Sequence, residues 1–270
     1  MQPCSNELRL SALHWLAECD AARKAAGVRQ LAKAWAMGEL TLDSQSALSA
    51  TQSIPGRPAQ PELVAPRLVK RRAMHTAEGR AIMIHAIVHI EFNAINLALD
   101  AIWRYPDMPQ AYYTDWLQVA DEEALHFTLL AEHLHGYGHA YGDFPAHNSL
   151  WEMADKTRHD LLARMALVPR TLEARGLDVV PSLRYKLVQA GDTAIAPIMD
   201  IILRDEIGHV AIGNRWYGWL CQQRGVEPLA AYAQLAGEYK APALRGPFNL
   251  AARRAAGFSE SELSELGLAA

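Results

Sequence analysis

Between residues 74 and 224, apolar positions recur at three- and four-residue intervals in four long stretches, near 74–104, 108–136, 150–175 and 193–224. No stretch alternates as a half-buried strand would, and alanine, leucine, methionine and arginine dominate, so the pattern predicts an all-α fold. Residues 6–50 carry the periods of two or three shorter amphipathic helices, and the proline-rich SIPGRPAQPELVAP (53–66) then breaks the pattern as a connection. The third long helix is expected to open at Ser149-x-x-Glu152, a capping-box spacing, and to close at Gly176. The segment LDVVPSLRYKLVQAGD that follows is long enough to cross a bundle from end to end. The organisation read from this is a helical extension with its connection (1–72), a four-helix bundle with one long crossover (73–225) and a helical tail packed on it (226–270).

Polar residues inside the apolar stretches carry the chemistry. EALH (Glu123 to His126) and EIGH (Glu206 to His209) each place a carboxylate and an imidazole three positions apart, on one helix face. One such pair is weak evidence, since chance supplies roughly 0.7 of them in a chain of this composition. A third, Glu132/His135, falls half a turn round its helix from the first and is set aside. The other two sit on core-facing stripes, among Tyr112, Trp116, Val119, Phe127, Leu130 and Leu134 in one case and Ile195, Met199, Ile202, Leu203, Val210 and Gly213 in the other. Buried charges are costly unless they are paired or hold a cation, so both pairs point to a shared metal. Two further glutamates complete a pseudo-repeat: Glu91 lies 32 residues before Glu123, and Glu173 lies 33 before Glu206.

Composition narrows the setting. Half the residues are apolar and the net charge is −4, which offers no general attraction to nucleic acid, although Arg67, Lys70, Arg71 and Arg72 form a local basic run. Three scattered cysteines (Cys4, Cys19, Cys221) indicate neither a disulfide framework nor a thiolate metal site. The opening MQPCSNELRL lacks the pattern of a signal peptide, so the expected location is the cytoplasm. The most apolar stretch, Ala81 to Leu99, is interrupted by His85, His89, Glu91, Asn93 and Asn96 and reads as a core helix, with no membrane partner expected.

The set Glu91, Glu123-x-x-His126, Glu173, Glu206-x-x-His209 resembles the ligand pattern of the ferritin-like di-iron carboxylate proteins. More narrowly, HIEFNAINLALD, ADEEALHF, PRTLEARGLD, RDEIGHVAIGNRWY and GPFNLAARRAAGF are similar to a bacterial ferritin-like family of unassigned function, itself distantly similar to tRNA-hydroxylating di-iron monooxygenases. The resemblance implies a ferritin-like four-helix bundle and two Fe ions, or Mn or a mixed pair, held by those six residues. It also implies that Asp205 orients His126 and Glu122 orients His209 through their outer ring nitrogens, Glu122 standing where the family more often has aspartate. The implied activity is that of a dioxygen-activating hydroxylase or oxidase. Its partners would be a small-molecule or modified-nucleoside substrate and an electron donor, and a homodimer is compatible. Peroxidase or Mn catalase chemistry, iron storage and a catalytically silent metal site are the alternatives. Trp116, Phe127, Trp216 and Tyr217 are expected near the metals or in ordinary core packing.

Four other features are read from helical geometry. His85, His89, Asn93, Asn96 and Asp100 share one face, opposite Glu91, and are expected to form a hydrogen-bonded seam against the N-terminal helices or the tail. Pro169, four residues before Glu173, should kink its helix or open the hydrogen-bond ladder. His133 is either an outer-shell residue or a histidine at the bundle edge. His159 is placed on the Glu173 side of the third helix, too far along the axis to ligate.

Overall fold

The computed structural model describes residues 6–69 and 73–268 and is all-α, with eleven α-helices and no strand among the described residues. Two compact units divide it, Met1–Ser149 and Leu150–Ala270.

The first unit contains α1 (Leu8–Ala17), α2 (Ala21–Ala36), α3 (Ala77–Arg104) and α4 (Gln110–His135). Thr76 caps α3 by accepting the Gly79 N–H at 3.0 Å, with Glu78 in the first turn and Arg104 in the last, as the helix dipole favours. A five-residue connection, 105–109, turns the chain back, so α3 and α4 pack against each other along their length. α1 and α2 cover other faces, α1 on α3 and α2 on α4. Because α3 is enclosed by several neighbours, it is buried well beyond a single stripe, and its polar residues must find partners inside. It is long and apolar enough to cross a membrane by length and composition, and 78% of the qualifying window is buried within the fold.

The seam on α3 has those partners. His89 Nε2 faces the His147 carbonyl at 3.0 Å, which can only accept, so Nε2 carries the proton and Nδ1 accepts the Tyr141 hydroxyl at 2.9 Å. His85 Nε2 accepts the Gly142 N–H at 3.0 Å. Asn96 accepts from Lys24 Nζ of α2 at 2.5 Å, and Asp100 pairs with Arg104 and takes the Trp103 indole N–H. The seam thus meets α2, as expected, and the 136–148 loop, not the tail. Burial pushes both histidines down, to about 4, so both are neutral at pH 7. The fully buried Lys24 also donates to the Leu16 and Gly56 carbonyls and lies over the Phe92 ring at 4.8 Å. At the far end of α3, Arg9 of α1 donates to the carbonyls of Asp43, Ser46 and Trp103.

The second unit holds α5 (Ser149–Lys156), α6 (Leu161–Leu167), a π-helical turn (Val168–Glu173), α7 (Ala174–Gln189), α8 (Ile195–Arg224), α9 (Pro228–Glu238), α10 (Leu250–Ala255) and α11 (Glu260–Leu268). This corrects the expected third helix. A turn at 157–160 separates α5 from α6, and the chain does not stop at Gly176 but stays helical to Gln189, with Pro181 inside α7. The supposed crossover is therefore mostly helix, and the long connection lies instead between α4 and α6, at 136–160. His159 falls in that turn, exposed, and accepts from Arg158, so its assignment to a helix face does not hold. Ser149 is the first residue of α5, its own N–H directed to His147 Nδ1 at 3.4 Å, in place of the expected cap. Gly225 ends α8 in the left-handed region, φ 63°, where a side chain would be strained. The tail closes on α7 and α8 through Ala174, Leu177, Val210, Ala252, Ala256, Phe258, Leu263 and Leu266, all buried.

Candidate metal centre

In the first unit α3 supplies Glu91, and α4 supplies Glu123 and His126. One donor atom from each lies within 4.8 Å of the others. His126 Nδ1 stands 3.3 Å from Glu123 Oε2 and 3.7 Å from Glu91 Oε2. All three residues are at most 3% exposed. Burial, and after it the charge of Glu123, holds the Glu91 carboxyl well above the usual carboxylate range, with His126 opposing the rise. Its Oε2, sealed from solvent, accepts no hydrogen bond, since His126 Nδ1 stands beyond bonding distance. Two carboxylates and an imidazole converging in a dry core, one oxygen unbonded, fit a cation: a divalent ion would remove the carboxylate repulsion and take the bare oxygen.

Aromatic rings pack together between α3, α4 and the 136–148 loop. Phe92 follows Glu91 and Phe127 follows His126, and each packs on Tyr141, at 5.4 and 5.5 Å between centroids. Trp116 is buried one side along α4. Tyr141 belongs to the 136–148 loop, and only the folded loop reveals its place. Glu132 and His135 are both exposed, in keeping with their being set aside. His133 stacks edge-on with Tyr137 near the end of α4.

In the second unit, Glu206 and His209 occupy adjacent turns of α8, both buried, with His209 Nδ1 3.9 Å from Glu206 Oε2. Glu173 is the last residue of the π-helical turn, half-buried, and Gly176 follows one turn later. A β-carbon at Gly176 would sit 3.6 Å from Glu206 Cδ, so this face of α7 looks onto the Glu206 carboxylate, and Glu173 is on the same face. Gly176, expected to close the helix, instead lies within α7.

The turn before Glu173 has a clear origin. Pro169 has no N–H and opens the ladder, as expected; the Ala174 N–H then reaches the Pro169 carbonyl, five residues back. The Thr171 hydroxyl donates to the Ala166 carbonyl at 2.8 Å. Gly213 on α8 admits Pro169 closely, since a β-carbon there would lie 2.6 Å from Pro169 Cβ.

Of the two carboxylates assigned to orient histidines, Asp205 is buried and paired with Arg204 at 2.7 Å, while Glu122 is partly exposed and accepts from Gln118 Nε2 at 3.1 Å. Tyr217 packs elsewhere, beneath the Arg170 guanidinium, with its hydroxyl on the Pro228 carbonyl, and Trp216 pairs with Trp219. Arg67 is exposed, whereas Cys4, Lys70, Arg71 and Arg72 lie outside the described residues. Cys19 and Cys221 are free.

No solved structure matches the chain. An uncharacterized protein of Haemophilus influenzae is 52% identical over 213 residues, covering 76% of this chain and 74% of that protein. A family model matches residues 17–264, and the chain therefore belongs to the family described as protein of unknown function, DUF455.

Proposed function

We propose that Glu91, Glu123 and His126 in the first unit, and Glu173, Glu206 and His209 in the second, are the ligands of two Fe or Mn ions, that the fold is a ferritin-like bundle, and that the protein is a dioxygen-activating oxidoreductase, a hydroxylase or oxidase of an organic substrate. The observation that carries this is the buried Glu91/Glu123/His126 cluster with its unbonded carboxylate oxygen. The repeated Glu, then Glu-x-x-His, in the second unit supports it. Four ionised carboxylates would balance two divalent ions without further anions, and two imidazoles add borderline donors that suit Fe and Mn. Such ions, when bound, supply the two electrons that reduce dioxygen or peroxide.

The chain's own residues bind, orient and exclude water. Asp205 and Glu122 are proposed to orient the histidine ligands through their outer ring nitrogens, which would fix ring tautomer and direction. The burial of Glu91, Glu123 and His126 keeps bulk water from these ligands, and that favours oxidation of a substrate over loss of oxidant to water. The substrate is expected to be a small molecule or modified nucleoside, with a separate electron donor, in the cytoplasm.

Dioxygen uptake by the reduced, Fe-loaded protein tests this reading. Uptake that rises when an organic substrate is added supports it. Rapid peroxide disproportionation by the Mn-loaded form, without such uptake, would assign the protein to protective peroxide chemistry instead.

A further inference from the structure

Arg170 lies in the π-helical turn, three residues before Glu173, and is 6% exposed. A buried guanidinium needs partners, and these come from two later parts of the chain. From α8, Asn214 accepts the Nε–H at 3.0 Å and the Tyr217 ring lies 4.6 Å from the guanidinium carbon. From the tail, Glu262 of α11 forms an ion pair with it, and the rings of Tyr232 and Phe258 lie 5.3 and 5.2 Å away. Asn214 is itself fixed by donating to the Ala256 carbonyl at 2.8 Å. The next residue is held as well: Thr171 Oγ1 already donates to Ala166, so the Tyr232 hydroxyl, 3.0 Å away, donates to it. A π-helical turn is not self-sustaining, because its hydrogen bonds are poorer than those of the α-helix on either side. Here the tail supplies an ion pair, stacked rings and a hydroxyl to two consecutive residues of it.

We infer that the tail is a clamp that sets the position of Glu173, with Arg170 as its positioning residue. This rests on the proposal that Glu173 is a metal ligand. Relaxation of the turn to regular α-helix would change the phase of Glu173 and Gly176 relative to α6, and so turn the Glu173 carboxylate relative to Glu206. The clamp therefore tunes the affinity of one metal ion and leaves the Glu91/Glu123/His126 cluster alone.

The test titrates Mn(II) into the full-length chain and counts free Mn(II) by its electron paramagnetic resonance, with thermal unfolding recorded alongside. Arg170→Gln should weaken one of the two ions by roughly 10–100-fold, as loss of supporting residues around metal ligands does, and leave the other unchanged. Tyr232→Phe, which removes only the bond to Thr171, should weaken the same ion several-fold. A general loss of stability would weaken both ions alike. Folded Arg170→Gln that binds both ions as tightly as the unaltered chain would overturn the clamp; if that variant does not fold, unaltered binding by Tyr232→Phe does so. Glu173→Ala separates the two ideas: if it binds as much Mn(II) as the unaltered chain, the assignment of Glu173 as a ligand falls, whereas its loss of one ion beside unaltered Arg170→Gln overturns the clamp alone.

Discussion

Substituting alanine at Gly213 tests whether α8 and the π-helical turn meet as closely as described. The new β-carbon would stand 2.6 Å from Pro169 Cβ and 2.8 Å from its Cγ, where ordinary contact begins at 3.4 Å. The shortfall is about 0.8 Å against a rigid ring, so the two segments must part, at an overpacking cost of about 1–3 kcal/mol. Alanine also favours the helix over glycine by about 1 kcal/mol, which offsets part of this. Gly218, in the same helix, controls for that gain, since a β-carbon there meets nothing within 4 Å. Gly218→Ala should therefore raise the unfolding temperature of the metal-free protein, and Gly213→Ala should fall below it by roughly 2–12 °C, the clash alone. Calorimetry or circular dichroism on the two variants makes the measurement. Equal unfolding temperatures would refute the close approach and with it the account of how Pro169 is seated.

Two further outcomes follow from buried polar groups. His85 and His89 fall from the ordinary 6.5 to about 4 on folding, so their contribution is fully present above pH 6.5 and is lost as pH drops toward 4, by about 2–3 kcal/mol each. Urea unfolding across that range should show a steep loss of stability whose slope His85→Gln lowers by about one proton; an unchanged slope would count against the buried, neutral His85. Lys24→Met should cost on the order of 2–4 kcal/mol in the same assay, because the Gly56 carbonyl and Asn96 Oδ1 lose their Lys24 donor in the core, and a neutral result would contradict that network.

The sequence was legible where one helix face explains the pattern. α4 and α8 start and stop within two residues of expectation, and their Glu-x-x-His pairs were visible because three-residue spacing is a property of the helix itself. α3 was legible for a different reason: its polar stripe and Glu91 fall on opposite faces, so the wheel separated seam from candidate ligand. The third helix was misread because Gly176 and Pro181 are local stop signals, and tertiary packing overrode them. Gly176 lies inside α7 facing the Glu206 carboxylate, which no local pattern discloses. Arg170 was missed for the same reason, since its partners are 44 to 92 residues further along. Tyr141 and Lys24 were likewise invisible, because contact with the neighbours of Glu91 depends on how a loop and an N-terminal helix fold back.

The central claim is that both carboxylate–histidine sets hold metal. Elemental analysis of the full chain, purified without chelator, tests it most directly, with Glu123→Ala as the partner measurement. The account predicts about two Fe or Mn ions per chain and a clear loss in the variant. A chain that takes up neither metal, or a Glu123→Ala variant that retains as much as the unaltered protein, would contradict it.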